Sequence, residues 1–484
     1  MADLPDDVNI SLPDTPRAAV EQLIALDTTS RDGNVPAIEL LQRWLSDHGV
    51  ITHVLREDDG INANLIGVIP SRHQAGGADG GQESVGALLP ERALTPSDQL
   101  SRDLIGELSG VGKGGVDRLD SPTDGATSAN PSADGATSSA EAAEAAAAGE
   151  RRGVLIAGHA DCVPVDGQDW DSDPFTATER DGLLYGRGTC DMKSYLAVFA
   201  QMAGRFQAAD LDEPVIFAAT WEEETTCNGA RELVKQLDAL GIHPRVAFVG
   251  EPTMMTAIAS HKSMNSFQAT FHGIAAHSSL LPRGLNAIRY AGEFITWYHR
   301  EVIDRLVEEG PSDDAFPVPH TTGGVNVVDA GIAGNTVPDH AHLTFEFRAL
   351  PSVDVPAVVR DIQAKIDELD TAMKAAVPDD PADPSAATKV GAQLTINSLL
   401  YPLDAAPDGP AATLAKTLGR DVQAEKVTYG TESGIYEHAG MSAVVIGPGD
   451  IAQAHGANEF VSLDQLEACE GFFAALLTHL ETAQ

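Results

Sequence analysis

Positive charge is scarce in this chain. Lys and Arg together number 31 against 72 Asp and Glu, which leaves a formal charge of −41 over 484 residues. Such an excess of acid repels phosphate backbones and anionic lipid headgroups, so neither nucleic acid nor a membrane surface is expected as a partner. Small molecules and proteins remain. Long apolar runs are also missing: none approaches the roughly 18 residues of a spanning helix. The opening Met1-Ala-Asp-Leu-Pro-Asp-Asp has neither a basic nor an apolar leader region. Cysteine is limited to Cys162, Cys190, Cys227 and Cys469, far apart and without a C-x-x-C pair, which argues against a disulfide framework. The expectation is a cytoplasmic protein with reduced thiols. Arginine outnumbers lysine by more than two to one. An acid-rich, lysine-poor surface suits concentrated salt, where screening relieves self-repulsion. A high-salt cytoplasm is therefore expected, with an ordinary acidic protein as the alternative.

Aromatic residues make up 5% of the chain, and none falls between Ser71 and Glu150. That stretch also lacks Met and Cys, is filled with Gly, Ala, Ser, Asp and Thr, and repeats Asp124-Gly-Ala-Thr-Ser at Asp134. It cannot bury enough apolar surface to offset chain entropy, so 71–150 reads as a disordered acidic insertion and an inert spacer, with a short helix over Ala-rich 140–148. Before it, apolar spacing predicts helices over 17–26 and 37–48 and a strand over 64–69. After it come short apolar runs at Val154, Val215, Val246 and Ala443, alternating with helical stretches at 195–206 and 230–240. This is the pattern of a mostly parallel sheet covered by helices on both faces. Between 263 and 397 the order changes to β-α-β-β-α-β, the order of a ferredoxin-like module. The fold class is thus α/β: a first domain of 1–262 and 398–484, interrupted by an inserted α+β domain of 263–397.

Each strand of the first domain runs into acid or histidine at its carboxyl end. Val154 leads to Gly158-His159-Ala-Asp161, Val215 to Glu222-Glu223-Glu224, Val246 to Glu251, and Ala443 to Ala454-His455. Carboxyl ends of strands form the ligand crevice of open α/β sheets, so these groups are expected to converge, joined by Asp191 of Gly186-Arg-Gly-Thr-Cys-Asp191. Nitrogen and oxygen donors of this kind suit two divalent metal ions, zinc first, then cobalt or manganese, about 4 Å apart and sharing a carboxylate. Two dications against Asp191, Glu224, Glu251 and one hydroxide give a neutral cluster. Without metal, the acids would raise one another's proton affinity.

At these segments the chain resembles a zinc-dependent aminoacylase and peptidase family that includes acetylornithine deacetylase, succinyl-diaminopimelate desuccinylase and glutamate carboxypeptidase. Gly158-His-Ala-Asp-Cys-Val-Pro, Gly186-Arg-Gly-Thr-Cys-Asp-Met-Lys, Glu222-Glu-Glu-Thr, Gly250-Glu-Pro-Thr, Ala276-His-Ser-Ser and Ala454-His carry the likeness. It is nearest to the acetylornithine deacetylase branch through Tyr429-Gly-Thr-Glu and Gly447-Pro-Gly-Asp-Ile-Ala-Gln-Ala-His. The resemblance implies one metal on His159 and Glu251, the other on Glu224 and His455, with Asp191 bridging. It implies that the first domain is catalytic and metal-binding, that 263–397 is a lid and dimerisation domain, that Glu223 is the general base, and that in a homodimer His277 reaches the partner's site as an oxyanion donor. Arg348 and Asn335 match positions that hold substrate, and an arginine fork suits a free carboxylate. Asp161, two residues along the strand from His159, can accept the imidazole N–H and set the tautomer. The implied reaction is removal of an acyl group from an N-acyl amino acid, N-acetylornithine most simply. The alternatives are desuccinylation, peptide hydrolysis, or a non-catalytic binding protein on the same scaffold.

Competing readings stand beside these roles. Glu222 to Glu224 could be a solvated charge run, and His277 could start a helix with Ser278 and Ser279 as caps. Arg348 could pair with Glu346 or Asp339, and Asn335 could be only a turn residue.

Overall fold

A computed structural model describes residues 11–72 and 152–482. Apart from Ser71 and Arg72, the expected insertion 71–150 lies outside the described residues, as does the expected helix at 140–148. Ser71 is buried, and Arg72 donates its N–H to Leu211 O at 2.9 Å while pairing with Asp212 at 3.0 Å.

In chain order, α1 (Pro16–Ile24) and α2 (Val35–Asp47) precede β1 (Ile51–Arg56) and β2 (Ala63–Ile69). Next come β3 (Val154–His159), α3 (Lys193–Ala208), β4 (Val215–Thr220), α4 (Asn228–Ala239) and β5 (Val246–Val249). Then follow β6 (Met264–His272), α5 (Ala287–Trp297), β7 (Thr322–Ala330), β8 (His340–Arg348), α6 (Val355–Ala375) and β9 (Gly391–Leu400). The chain ends with α7 (Pro410–Thr417), α8 (Ser433–His438), β10 (Ser442–Val445) and α9 (Leu463–Thr482).

The larger sheet has the order β1-β2-β4-β3-β5-β10. β3 runs parallel to β4 and β5, and β10 parallel to β5, while β2 is antiparallel to β4 and to β1. Every residue of β3, β4 and β5 is buried, because α3 and α9 cover one face and other helices the opposite one. This explains why these strands read as unbroken apolar runs. Aromatic rings pack across this layer: Phe199 of α3 stacks on Phe217 of β4 at 5.2 Å and meets Phe473 of α9 edge-on. β1 was not expected from the sequence. It is a sheet edge whose residues are exposed or half-exposed, so burial imposes no clean alternation on it.

The second sheet has the order β7-β8-β6-β9 and is antiparallel throughout. β6 and β8 alternate buried and half-buried residues, the mark of a sheet covered on one face. Helices α5 and α6 provide that cover, and Phe267 stacks between Phe345 and Phe347 beneath them. The β-α-β-β-α-β order expected from the sequence is present.

Candidate metal centre

The carboxyl ends of β3, β4 and β5 deliver the first three groups. His159 is the last residue of β3 and is wholly buried. Past β4, Glu222 takes a left-handed φ of 54°. This is unfavourable for a residue with a Cβ, but the turn is held because the Glu222 carbonyl accepts N–H groups from Thr226 at 2.9 Å and Cys227 at 2.7 Å. The turn leaves Glu222 half-buried and sends Glu223 and Glu224 inward, so the three acids are not a solvated run. Glu251 follows β5 and is buried. A Cβ on Gly447, past β10, would overlap the Gly250 carbonyl, so glycine there lets the loop toward His455 close over the end of β5.

Asp191 sits between two histidines. Its Oδ1 lies 3.0 Å from His159 Nε2, and its Oδ2 lies 3.2 Å from His455 Nε2. Glu251 Oε1 approaches His159 Nε2 at 3.6 Å, and Glu224 Oε2 approaches His455 Nε2 at 2.9 Å. Two arms result, His159 with Glu251 and His455 with Glu224, each facing one oxygen of the same aspartate. Donor atoms of His159, Asp191 and Glu224 all lie within 4.8 Å of one another, as do those of His159, Glu223 and Glu251.

The electrostatics favour a cation. Among the described residues, no Lys or Arg forms an ion pair with Asp191, Glu223, Glu224 or Glu251; the histidines are their only basic contacts. Two carboxylates about 4 Å apart repel by about 4 kcal/mol even at an effective dielectric of 20. Burial, then Asp191, raises the Glu224 carboxyl to about 6. Burial also pushes Glu251 and Glu223 well up, reinforced by neighbouring acids and opposed by His159. Burial acts on Asp191 in the same sense, but hydrogen bonds from His159 and His455 overcome it and hold that group well down. Hydrogen bonds to Asp191 and Glu224 raise His455 to about 10. Glu224 Oε1 and Glu251 Oε1 are buried without a hydrogen-bond partner among the described residues. Imidazole nitrogens, carboxylate oxygens and these orphaned atoms together fit a pair of divalent ions.

Asp161 lies behind His159. Its carbonyl and Oδ1 are 3.0 and 3.5 Å from His159 Nδ1, so the ring can donate there and keep the Nε2 lone pair facing inward. The same carboxylate accepts from Ser30 Oγ at 2.7 Å and from the Glu223 N–H at 3.2 Å. It therefore ties the ring to the loop that carries the proposed base.

The sequence reading missed a further support. Glu459 Oε1 accepts the N–H groups of Cys190 and Asp191 at 2.8 and 3.0 Å, while its Oε2 meets Arg187 Nη1 at 2.5 Å. Arg187 Nη2 reaches Gln168 Oε1 at 2.7 Å, and Gln168 Nε2 donates to the His455 carbonyl at 2.9 Å. One buried ion pair thus fixes the backbone at both Asp191 and His455. The available signal was an arginine between two glycines near Asp191 and an acid four residues past His455.

The remaining predicted residues lie elsewhere. His277 is exposed and caps the short turn after it, its Nδ1 accepting from Ser279 N at 3.2 Å. Among the described residues, none of its hydrogen bonds reaches the acid cluster of its own chain. Asn335 accepts the Ser278 N–H at 2.9 Å, which places it beside His277 on one short ribbon. Arg348, at the end of β8, donates to Glu346 Oε2 at 3.0 Å and also lines a cavity with Tyr429.

The chain belongs to peptidase family M20/M25/M40, whose pattern matches residues 155–479. It is 32% identical over 334 residues to acetylornithine deacetylase from Photorhabdus laumondii, covering 68% of this chain and 80% of that one. It is 32% identical over 329 residues to acetylornithine deacetylase from Myxococcus xanthus, with 68% and 80% covered. In fold it is similar to an M20 family metallo-carboxypeptidase from Sulfolobus solfataricus, with a TM-score of 0.61 at 15% identity and 97% and 99% of the two chains covered. A dinuclear metal-binding peptidase from Bacillus subtilis gives a TM-score of 0.50 at 15% identity, with 96% and 98% covered. The protein is a hydrolase acting on a linear amide. Among the described residues, no helix is long and apolar enough to cross a membrane.

Proposed function

We propose that the protein removes the acyl group from an N-acyl amino acid with a free carboxylate, and that N-acetylornithine is its substrate. The observation that carries this reading is Asp191, whose two oxygens face two different histidines, each paired with a buried glutamate. His159 and Glu251 would hold one divalent ion and His455 and Glu224 the other, with Asp191 shared and zinc the first choice. When bound, the pair supplies positive charge that acidifies a water and polarises an amide carbonyl.

The chain's own groups do the rest. Glu223 is buried beside the cluster, and burial gives its carboxylate a high affinity for a proton. It takes a proton from the attacking water and passes it to the departing amine nitrogen. Asp161 holds the His159 ring and the Glu223 backbone in one geometry. Arg348 and Asn335 act on the substrate from the lid. His277, exposed and, among the described residues, without a hydrogen bond to its own chain's cluster, serves a partner's site as oxyanion donor in a homodimer. The domains divide at 262/263 and 397/398, and the protein works in the cytoplasm.

Acetate release from N-acetylornithine is the test, run beside succinate release from N-succinyl-diaminopimelate and amino-acid release from a dipeptide, with zinc or cobalt supplied. Acetate release as the fastest reaction supports the reading. Faster succinate or dipeptide cleavage reassigns the substrate, and no turnover of any of the three removes the proposed reaction.

A further inference from the structure

A cavity of about 310 Å³ is lined by Lys262, Val318, Thr322, Arg348, Thr428 and Tyr429. Its two cations differ in kind. Arg348 is already paired with Glu346 at 3.0 Å. Lys262 has no exposed surface, and among the described residues no carboxylate pairs with it. Its ammonium donates to the His320 carbonyl at 2.5 Å, and the Phe316 ring centroid lies 5.7 Å away. An ammonium has three donors, so two remain unassigned among the described residues. Burial pushes Lys262 down and no acid opposes the shift.

The backbone explains why this lysine and Arg348 stand together. Ser263 donates its N–H to the Ala349 carbonyl at 2.9 Å, and Ala349 returns its N–H to Ser263 Oγ at 3.0 Å. The residue after Lys262 is therefore clasped to the residue after Arg348. Tyr429 forms the wall toward the metal centre: burial, then the charges of Glu251 and Asp191, push its phenol up. Its hydroxyl has no hydrogen bond among the described residues, and Tyr429 lines the same cavity as Lys262.

We propose that Lys262 is the main anchor for the substrate's carboxylate, with Arg348 and the Tyr429 hydroxyl beside it, and that it makes the enzyme select acyl amino acids over their neutral analogues. This rests on the hydrolase reading above and deepens it. A buried cation without a counter-ion is costly, and a carboxylate entering the cavity relieves that cost. A carboxamide leaves the ammonium unpaired and is rejected.

The experiment compares the metal-loaded enzyme with Lys262→Met and Lys262→Gln on an N-acetyl amino acid and on its carboxamide. The unchanged enzyme should prefer the acid on the order of 10- to 100-fold in kcat/KM, the usual size of a hydrogen bond to a charged group. Both variants should lose that preference through a higher KM on the acid, with little change on the carboxamide. Lys262→Gln, whose amide can still donate to the His320 carbonyl, should keep the parent's melting temperature without substrate. Variants that keep the parent's preference overturn the anchor. If the parent hydrolyses neither compound, the function proposed above fails, and the anchor is judged by binding. N-acetylornithine should then raise the melting temperature of the parent and not of Lys262→Met; an equal rise overturns it.

Discussion

The two arms of the centre are chemically alike and structurally different. His159 closes a strand buried on both faces and has no exposed surface, whereas the His455 side chain is 54% exposed on a loop past β10. His159 is held by Asp161 at its far nitrogen, while His455 takes a left-handed φ of 65° and is held through its carbonyl by Gln168. The inner arm is part of the sheet; the outer arm is a loop kept in place by an ion pair. The difference teaches that the proposed inner site would be preformed by the sheet, whereas the proposed outer site would depend on the ion pair that holds its loop.

The largest effect is expected at the group both arms serve. Glu223→Gln should lower kcat by about 10²–10⁴-fold, the range of general acid–base catalysis, while both metal ions remain by elemental analysis. An active variant would dismiss Glu223 as base. The arms themselves are tested next by His159→Ala and His455→Ala. His159→Ala should abolish the tight step of a zinc titration. His455→Ala should leave that step and weaken only the second. Equal loss in both variants would show that the arms are not separable.

How far the sequence showed all this depends on where each residue stands. His159, Glu223, Glu224 and Glu251 were legible because each follows an apolar run buried on both faces, so chain position alone sends it to the crevice. Asp191 lies on a loop, and only its motif pointed to it, whereas His455 was reached by following the apolar run at Ala443 into the loop beyond it. The lid's element order was legible from alternation and helical spacing, whereas the edge strand β1 was not, since it lacks a buried face. Arg187 with Glu459 escaped because their partnership spans 272 positions, and no local pattern announces an ion pair formed at that distance. Lys262 escaped for the opposite reason: its meaning lies in the acid it lacks, which only the packed structure reveals.

Glu459→Gln sharpens the comparison at the outer arm. It keeps an acceptor for Asp191 N–H but removes the charge facing Arg187, so the Gln168 link to His455 should loosen. Metal affinity at the weaker step should drop about 10–100-fold, the usual cost of losing an outer-shell partner, with the tight step nearly intact. Calorimetric zinc titration reads both steps; an unchanged second step would mean that the ion pair does not govern His455.

The smallest effect is a pH dependence that separates the acids from their metal. Glu224 is raised to about 6 in the folded chain, so it favours folding fully below its unfolded value and loses that contribution as pH rises through about 6. His455, raised to about 10, favours folding below its unfolded value and loses its contribution as pH climbs toward about 10. Asp191 is held down and is constant through this range. The signs agree, so the metal-free protein should melt at a lower temperature at about pH 8 than at about pH 5. Ligands must shed protons to bind, so zinc should raise the melting temperature more at the higher pH than at the lower. A metal-free melting temperature that rises over this interval would show that the buried acids do not repel one another as their spacing requires, and the electrostatic case for a cation between the two arms would fail.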